Sequence, residues 1–154
     1  MKIVLISDSH GNKVGIDKIF KNIKFDYLFF VGDGLNDLGD YVYLDNVFAV
    51  SGNCDFFSRL DNEKYCELQN KKIFYTHGNK YGVKLGLSNL VARAKELNVD
   101  FVFYGHTHNQ KVERIGDVYY INPGSFHIQS NGKSYGLLLD IKDDKWQIDD
   151  LIIE

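Results

Sequence analysis

Four of the five histidines in this 154-residue chain lie in short motifs that also contain Asp, Asn or Gly, and each motif follows an apolar run. In chain order the motifs are Asp8-Ser9-His10, Gly32-Asp33, Gly52-Asn53-Cys54-Asp55, His77-Gly78 and Gly105-His106-Thr107-His108. Imidazole nitrogen with carboxylate or amide oxygen suits divalent Mn, Fe, Co, Ni or Zn, whereas a structural zinc site would normally show Cys/His pairs at tight spacing. A single histidine of this kind could be a hydrogen-bonded core residue, but the set predicts a metal centre.

The spacing within two motifs allows each of them to supply two ligands. Asp8 and His10 are two residues apart, as are His106 and His108, so in an extended segment each pair points to one side. Binding crevices of open α/β sheets lie beyond the carboxyl ends of the strands, where all five motifs begin. We therefore expect the motifs to converge in space.

Apolar periodicity predicts the helices that separate these strands. The pattern Ile16, Ile19, Phe20, Ile23 and the pattern Leu87, Leu90, Val91, Ala94 are each typical of an amphipathic helix, and Leu35, Leu38 and Val42 form a weaker third one. The first third of the chain is thus predicted to be β-α-β-α-β with parallel strands.

After this region the pattern changes to paired strands. Three hairpins are predicted: Tyr65–Gln69 with Lys72–Thr76, Lys111–Ile115 with Val118–Ile121, and Tyr135–Ile141 with Trp146–Ile153. The predicted fold class is α/β (α+β), a two-sheet β-sandwich of mixed strands flanked by helices, in a single domain over residues 1–154. Ten tyrosines and eleven phenylalanines are expected to fill much of its core.

Composition restricts the partners and the compartment. A net charge of -3 without a Lys/Arg block argues against an extended nucleic-acid surface, and no apolar run has the length of a membrane helix. Ile3–Ile6 is predicted to be a first strand and not part of a signal peptide. Cys54 and Cys66 lack a Cys-x-x-Cys pattern, which favours a reducing cytoplasm.

The five motifs, in this order and strand context, resemble the metal-binding signature of the calcineurin-like metallophosphoesterases. Gly52-Asn53-Cys54-Asp55 and Asn122-Pro123-Gly124-Ser125 are similar to the short bacterial and archaeal phosphodiesterase branch. The resemblance implies a four-layer fold with a binuclear metal centre. It implies that one metal ion is bound by Asp8, His10 and His108, that the other is bound by Asn53, His77 and His106, and that Asp33 bridges them.

The resemblance also implies an activity. The expected function is hydrolysis of a small organic phosphodiester by a metal-bound hydroxide, with manganese as the first expectation and nickel, iron, cobalt or zinc as alternatives. Asn53, Asp55 and His106 are expected among the catalytic residues, with Asp55 either orienting a histidine ligand or capping the following turn. The alternatives are a phosphomonoesterase or nucleotidase, and a protein-binding scaffold, which predicts missing ligands. Homo-oligomerisation stays open.

The chain departs from the wider superfamily at three positions. Cys54 stands where larger members have a histidine thought to assist the leaving group, and a thiol is a poor substitute acid. Ser51 and the segment 126–129 stand where related sequences often carry arginine. His127 and Lys133 either replace those arginines or are ordinary loop residues.

Overall fold

Ten strands form two five-stranded sheets in the computed structural model, which describes residues 1–154. The strands are Lys2–Ile6 (β1), Tyr27–Phe30 (β2), Val47–Ala49 (β3), Glu63–Leu68 (β4), Lys71–Thr76 (β5), Phe101–Phe103 (β6), Gln110–Ile115 (β7), Val118–Pro123 (β8), Ser134–Lys142 (β9) and Lys145–Ile153 (β10). The helices are Lys13–Asn22 (α1), Leu35–Leu38 (α2) and Ser88–Leu97 (α3), with 3-10 segments at Gly39–Tyr43 and Asn79–Tyr81.

Each sheet combines parallel strands with a hairpin at one or both edges. The first sheet has the order β10-β9-β1-β2-β3 and the second β4-β5-β6-β8-β7. Strands β1, β2 and β3 run parallel, as do β5, β6 and β8. The pairs β4–β5, β7–β8 and β9–β10 are antiparallel hairpins. The predicted β-α-β-α-β start and all three predicted hairpins are confirmed.

Alternating side chains on the central strands divide the interior into three cores. On β1, Ile3 and Leu5 face the core between the sheets, whereas Val4 and Ile6 face a second core beneath α1 and α2. On the other sheet, Phe74 packs in a third core with α3. Apolar strands buried on both faces therefore give helix, sheet, sheet and helix layers, which confirms the predicted sandwich.

The third predicted helix lies where the sequence pattern places it, but it is much shorter than the pattern indicates. Helix α2 has four residues and ends at Gly39, whose φ is 51°, and the chain continues as a 3-10 segment. Only Leu38 of this helix is buried, so packing stabilises little more than one turn. None of the helices has the length and apolar character needed to cross a membrane.

Candidate metal centre

All seven predicted ligands lie in loops that leave the carboxyl ends of parallel strands. The loops after β1, β2 and β3 carry Asp8 with His10, Asp33, and Asn53, and those after β5 and β6 carry His77, and His106 with His108. The amide of Asp8 donates to the carbonyl of Gly32 (2.9 Å) and the amide of Gly105 to that of His77 (3.0 Å), so neighbouring loops are joined. The two sheets thus present their ligand loops along one edge of the sandwich.

Backbone conformation distinguishes these loops from ordinary turns. Nine non-glycine residues have positive φ, and five of them are candidate ligands: Asp8 (52°), His10 (42°), Asp33 (60°), His106 (69°) and His108 (58°). For non-glycine residues this region costs on the order of 1–2 kcal/mol each. Such strain gathers where a site requires a particular side-chain direction.

The first donor set consists of Asp8, His10 and His108. Oδ1 of Asp8 lies 3.0 Å from Nε2 of His108 and 3.8 Å from Nε2 of His10, and the two Nε2 atoms are 3.4 Å apart. The Asp8 side chain is fully buried, yet its Oδ1 makes no hydrogen bond. A buried carboxylate oxygen facing two imidazole nitrogens is costly unless a cation balances it.

The second donor set meets at Nε2 of His77. This atom lies 3.3 Å from Oδ2 of Asp33, 3.0 Å from Oδ1 of Asn53 and 3.2 Å from Nδ1 of His106. Nδ1 of His77 lies 2.7 Å from the carbonyl of Val31, which can only accept, so Nδ1 carries a proton. In the neutral ring, Nε2 then offers its lone pair to the set, as a metal-binding histidine does.

Each carboxylate is fixed by one oxygen and directs the other into a donor set. Oδ2 of Asp8 accepts from the Ser7 hydroxyl and from the amide of His106 (3.2 Å). Oδ1 of Asp33 accepts from the amide of Cys54 (2.8 Å). Both sets therefore have oriented oxygen and nitrogen donors without a thiolate, and both fit a divalent ion.

Electrostatic coupling within the second set is strong. Burial alone would raise the pKa of Asp33, but its contact with His77 and the amide of Cys54 hold that pKa well below the ordinary value. Burial acts to lower the pKa of His77, but Asp33 and Asp8 raise it overall. For His106, burial and the neighbouring His77 lower the pKa. These opposite shifts indicate closely packed groups whose charges need compensation.

Asp55 acts on the backbone and not on a histidine. Its Oδ1 accepts from the amides of Gly34 and Leu35, and its Oδ2 accepts from those of Asp33 and Gly52, at 2.8–2.9 Å. Both roles expected from the sequence are therefore wrong, because the carboxylate binds the loop after β2 and the start of α2 and not the turn that follows it. Asp55 is a positioning residue for Asp33.

Two polar residues of the Asn122-Pro123-Gly124-Ser125 motif support the ligand loops, a role that sequence reasoning did not identify. The side-chain amide of Asn122 donates to the carbonyl of Gly105 and to the Thr107 hydroxyl, both at 3.0 Å, and the Ser125 hydroxyl donates to the carbonyl of Asp8 (2.8 Å). Both residues are buried. The motif predicts a tight turn at 122–124 first and a substrate contact second. The turn forms, with Asn122 accepting from the amide of Gly124.

Cys54 and the two candidate replacements for the missing arginines, His127 and Lys133, have different surroundings. His127 lines a cavity of about 420 Å³ together with His10 and His108, and its Nδ1 lies 2.7 Å from the Ser125 hydroxyl. Lys133 is instead 2.5 Å from a carboxylate oxygen of Glu154. Cys54 is a free, exposed cysteine, and desolvation together with Asp33 raises the pKa of its thiol.

Two donor sets for divalent ions side by side occur in two-metal enzymes, among them phosphatases and nucleases. The model of the calcineurin-like phosphoesterase superfamily domain matches residues 1–144, and the chain belongs to that superfamily, whose members use divalent metals. It is 32% identical to the Probable metallophosphoesterase YsnB of Bacillus subtilis, over 90% of this chain and 83% of that protein. It is 29% identical to Phosphodiesterase YfcE of Escherichia coli, over 90% and 87%.

A solved structure agrees with these relatives. The crystal structure of a conserved uncharacterized protein from Streptococcus pneumoniae, described as a predicted phosphoesterase, superposes with a TM-score of 0.86 at 26% identity. The match covers 97% of this chain and 88% of that one. The family and fold expected from the motifs are therefore confirmed.

Proposed function

We propose that this protein is a phosphodiesterase that hydrolyses a small organic phosphodiester with two divalent ions. The observation that carries the proposal is the convergence of two oriented donor sets, one around Asp8 and one around Nε2 of His77. The name of the E. coli relative, a phosphodiesterase, supports the diester over a monoester. We further propose that the 154 residues act as one domain in the cytoplasm, and that manganese is the metal.

The residues have distinct proposed tasks. Asp8, His10 and His108 would hold one ion, Asn53, His77 and His106 would hold the other, and Asp33 would be a ligand of both. Two ions in such a site supply a water-derived nucleophile near neutral pH and neutralise the phosphate oxygens. Asn53 and His106 would also face the substrate phosphate from the second set.

The supporting contacts give each task a physical basis. The Val31 carbonyl selects the tautomer of His77 that offers Nε2 to the set. The amide of His106 holds Oδ2 of Asp8, so a loop of one sheet orients the key carboxylate of the other. Asp55 fixes the amide of Asp33 and thereby the direction of that side chain. These contacts preorganise the donors before any ligand binds.

The test begins with protein stripped by a chelator. Manganese, nickel, iron, cobalt, zinc or magnesium is added separately, and hydrolysis of bis(p-nitrophenyl) phosphate is compared with that of p-nitrophenyl phosphate. We expect metal-dependent turnover with a preference for the diester. A preference for the monoester would favour the phosphatase alternative. The absence of both metal binding and turnover with every ion tested would favour the scaffold.

Anomalous diffraction from metal-soaked crystals tests the ligand assignment separately. We expect two ions with Asp33 between them, and two well-occupied ions that share no Asp33 contact would contradict that assignment. Asp33→Asn should lose most turnover, whereas the matched variant Asp117→Asn, on a side chain that is 99% exposed, should keep it.

A further inference from the structure

Three exposed aromatic rings surround a cavity beside the candidate metal centre. The cavity encloses about 690 Å³, and Tyr43, Phe56 and Phe57 lie on its wall. These side chains are 83%, 81% and 100% exposed, respectively. Exposed aromatic rings grouped in this way are unusual on a monomeric surface and mark a binding site. The volume is that of a small-molecule pocket.

The cavity shares one wall with the metal-binding loops. Cys54 and Asp55 line it directly. The amide of Cys54 donates to Oδ1 of Asp33, and the preceding residue, Asn53, places Oδ1 3.0 Å from Nε2 of His77. A ligand that spans the loop between Asn53 and Phe56 would therefore have one end at the donor sets and the other among the aromatic rings.

The aromatic segment is anchored at both ends although its rings project outward. The amide of Ser58 donates to the carbonyl of Asp55 (3.1 Å), and the amide of Leu60 donates to the Ser58 hydroxyl (3.0 Å). The Ser51 hydroxyl donates to the carbonyl of Leu60 (2.8 Å), whose side chain packs against the core under α1 and α2. These contacts fix the backbone of the segment, whereas the exposed rings of Phe56 and Phe57 are free of packing of their own.

The charges on the wall select among ligands. Asp55 is the one carboxylate on the wall, and four backbone amides already occupy its oxygens. Arg59 is the one cationic side chain on the wall. Aromatic rings stack on other aromatic groups and also attract cations, but the positive charge of Arg59 favours a neutral or anionic aromatic group over a cationic one.

We propose that this cavity binds an aromatic ester group of the phosphodiester substrate. The proposal rests on the proposed phosphodiesterase function and adds the class of the organic group. Phe56 and Phe57 are then specificity-determining residues, which contact the aromatic ring while the phosphate lies at the donor sets.

The test measures binding of phenylphosphonate and methylphosphonate to the manganese-loaded protein by calorimetry and by competition with bis(p-nitrophenyl) phosphate. Wild type should prefer the phenyl ligand. Phe57→Ala and Phe56→Ala should each weaken phenylphosphonate about two- to tenfold, as expected for loss of one aromatic contact, and leave methylphosphonate unchanged. Exposure of both rings means that the variants should melt like wild type.

Leu85→Ala is the matched control, because Leu85 is 98% exposed and lines a different cavity, of about 1000 Å³. It should keep the phenyl preference. Equal binding of the two ligands to wild type, or an unchanged preference in the double variant of Phe56 and Phe57, would overturn the inference. A double variant that only converts an oligomer to monomers in size-exclusion chromatography would show a subunit contact, which also overturns it. Failure of both ligands to bind, together with no diester turnover, would instead reject the proposed function.

Discussion

Replacement of Asp55 should destabilise the protein more than replacement of any exposed carboxylate. Its side chain accepts four backbone hydrogen bonds, from Asp33, Gly34, Leu35 and Gly52. Hydrogen bonds to a charged group contribute about 1.5–3 kcal/mol each, but four that share one carboxylate are not additive, and water can reach some of the released amides. We expect Asp55→Ala to cost about 3–5 kcal/mol, a large part of the roughly 5–15 kcal/mol that stabilises a domain.

Asp55→Asn keeps the shape of the Asp55 side chain but removes its negative charge. One amide oxygen still accepts from two backbone donors, but the new NH₂ group faces the other two. The expected cost is about 2–3 kcal/mol, between wild type and Asp55→Ala. If the NH₂ group takes the place of Oδ2, the amide of Asp33 loses its partner and manganese affinity at the second donor set should fall by about 10- to 100-fold, the loss seen when residues that orient metal ligands are replaced.

Urea unfolding in the presence of a chelator measures the stability of the metal-free protein, and calorimetric titration measures manganese binding. Asp45→Asn is the control, since Asp45 is exposed and its replacement should change the unfolding free energy by less than about 0.5 kcal/mol. If Asp55→Ala unfolds within about 1 kcal/mol of wild type, the four amide contacts do not hold the loop and the reasoning fails.

Three further outcomes concern the same donor sets. Gly52→Ala should lose most turnover, because a Cβ there would lie 2.0 Å from Oδ1 of Asp33, and activity equal to wild type would show that this carboxylate needs no fixed position. In metal-free protein the contact of Asp33 with His77 should stabilise the fold most between their ordinary pKa values of 3.8 and 6.5. The contribution of this contact falls at lower pH, because the Asp33 carboxylate takes up a proton below its lowered pKa. It also falls at higher pH, because His77 loses its proton above its raised pKa. The difference in unfolding free energy between wild type and Asp33→Asn, measured in urea, should vary with pH in this way. Cys54→Ser should keep appreciable diesterase activity. Cys54→His should raise kcat/KM more for a substrate with an alkoxide leaving group than for one with a p-nitrophenolate leaving group. Equal effects on both substrates would show that position 54 does not control protonation of the leaving group.

Local patterns were sufficient to predict most of the fold. The hairpin of β7 and β8 follows from the turn at Gly116, and the central strands follow from apolar runs that bury both faces. The extent of α2 could not be predicted, because the conformation of Gly39 and not periodicity ends that helix. Sheet order beyond the parallel start also depends on long-range pairing, such as that of β1 with β9, which no local pattern encodes.

The candidate site was predictable where side chains bear recognisable donors, and less so where they support the backbone. His77 and His106 stand out by type and position, and the structure brings them together. The contacts of Asp55 with four amides could not be inferred, because backbone groups carry no signal in the sequence. The tyrosines and phenylalanines as a group were expected to fill much of the core, and only the structure shows that Phe56 and Phe57 project into solvent.

The distribution of the metal donors between the two sheets has a consequence for the stability and degradation of the protein in the cell. The first sheet supplies Asp8 and Asp33, and the second supplies His77 and His106. Ions held as proposed would cross-link the two sheets at one edge of the sandwich. Metal supply would then set the lifetime of the protein as well as its activity, since binding to the folded state alone adds about 2.7 kcal/mol when free metal exceeds its dissociation constant a hundredfold. Metal-starved molecules would open first along this edge and reach cellular proteases sooner.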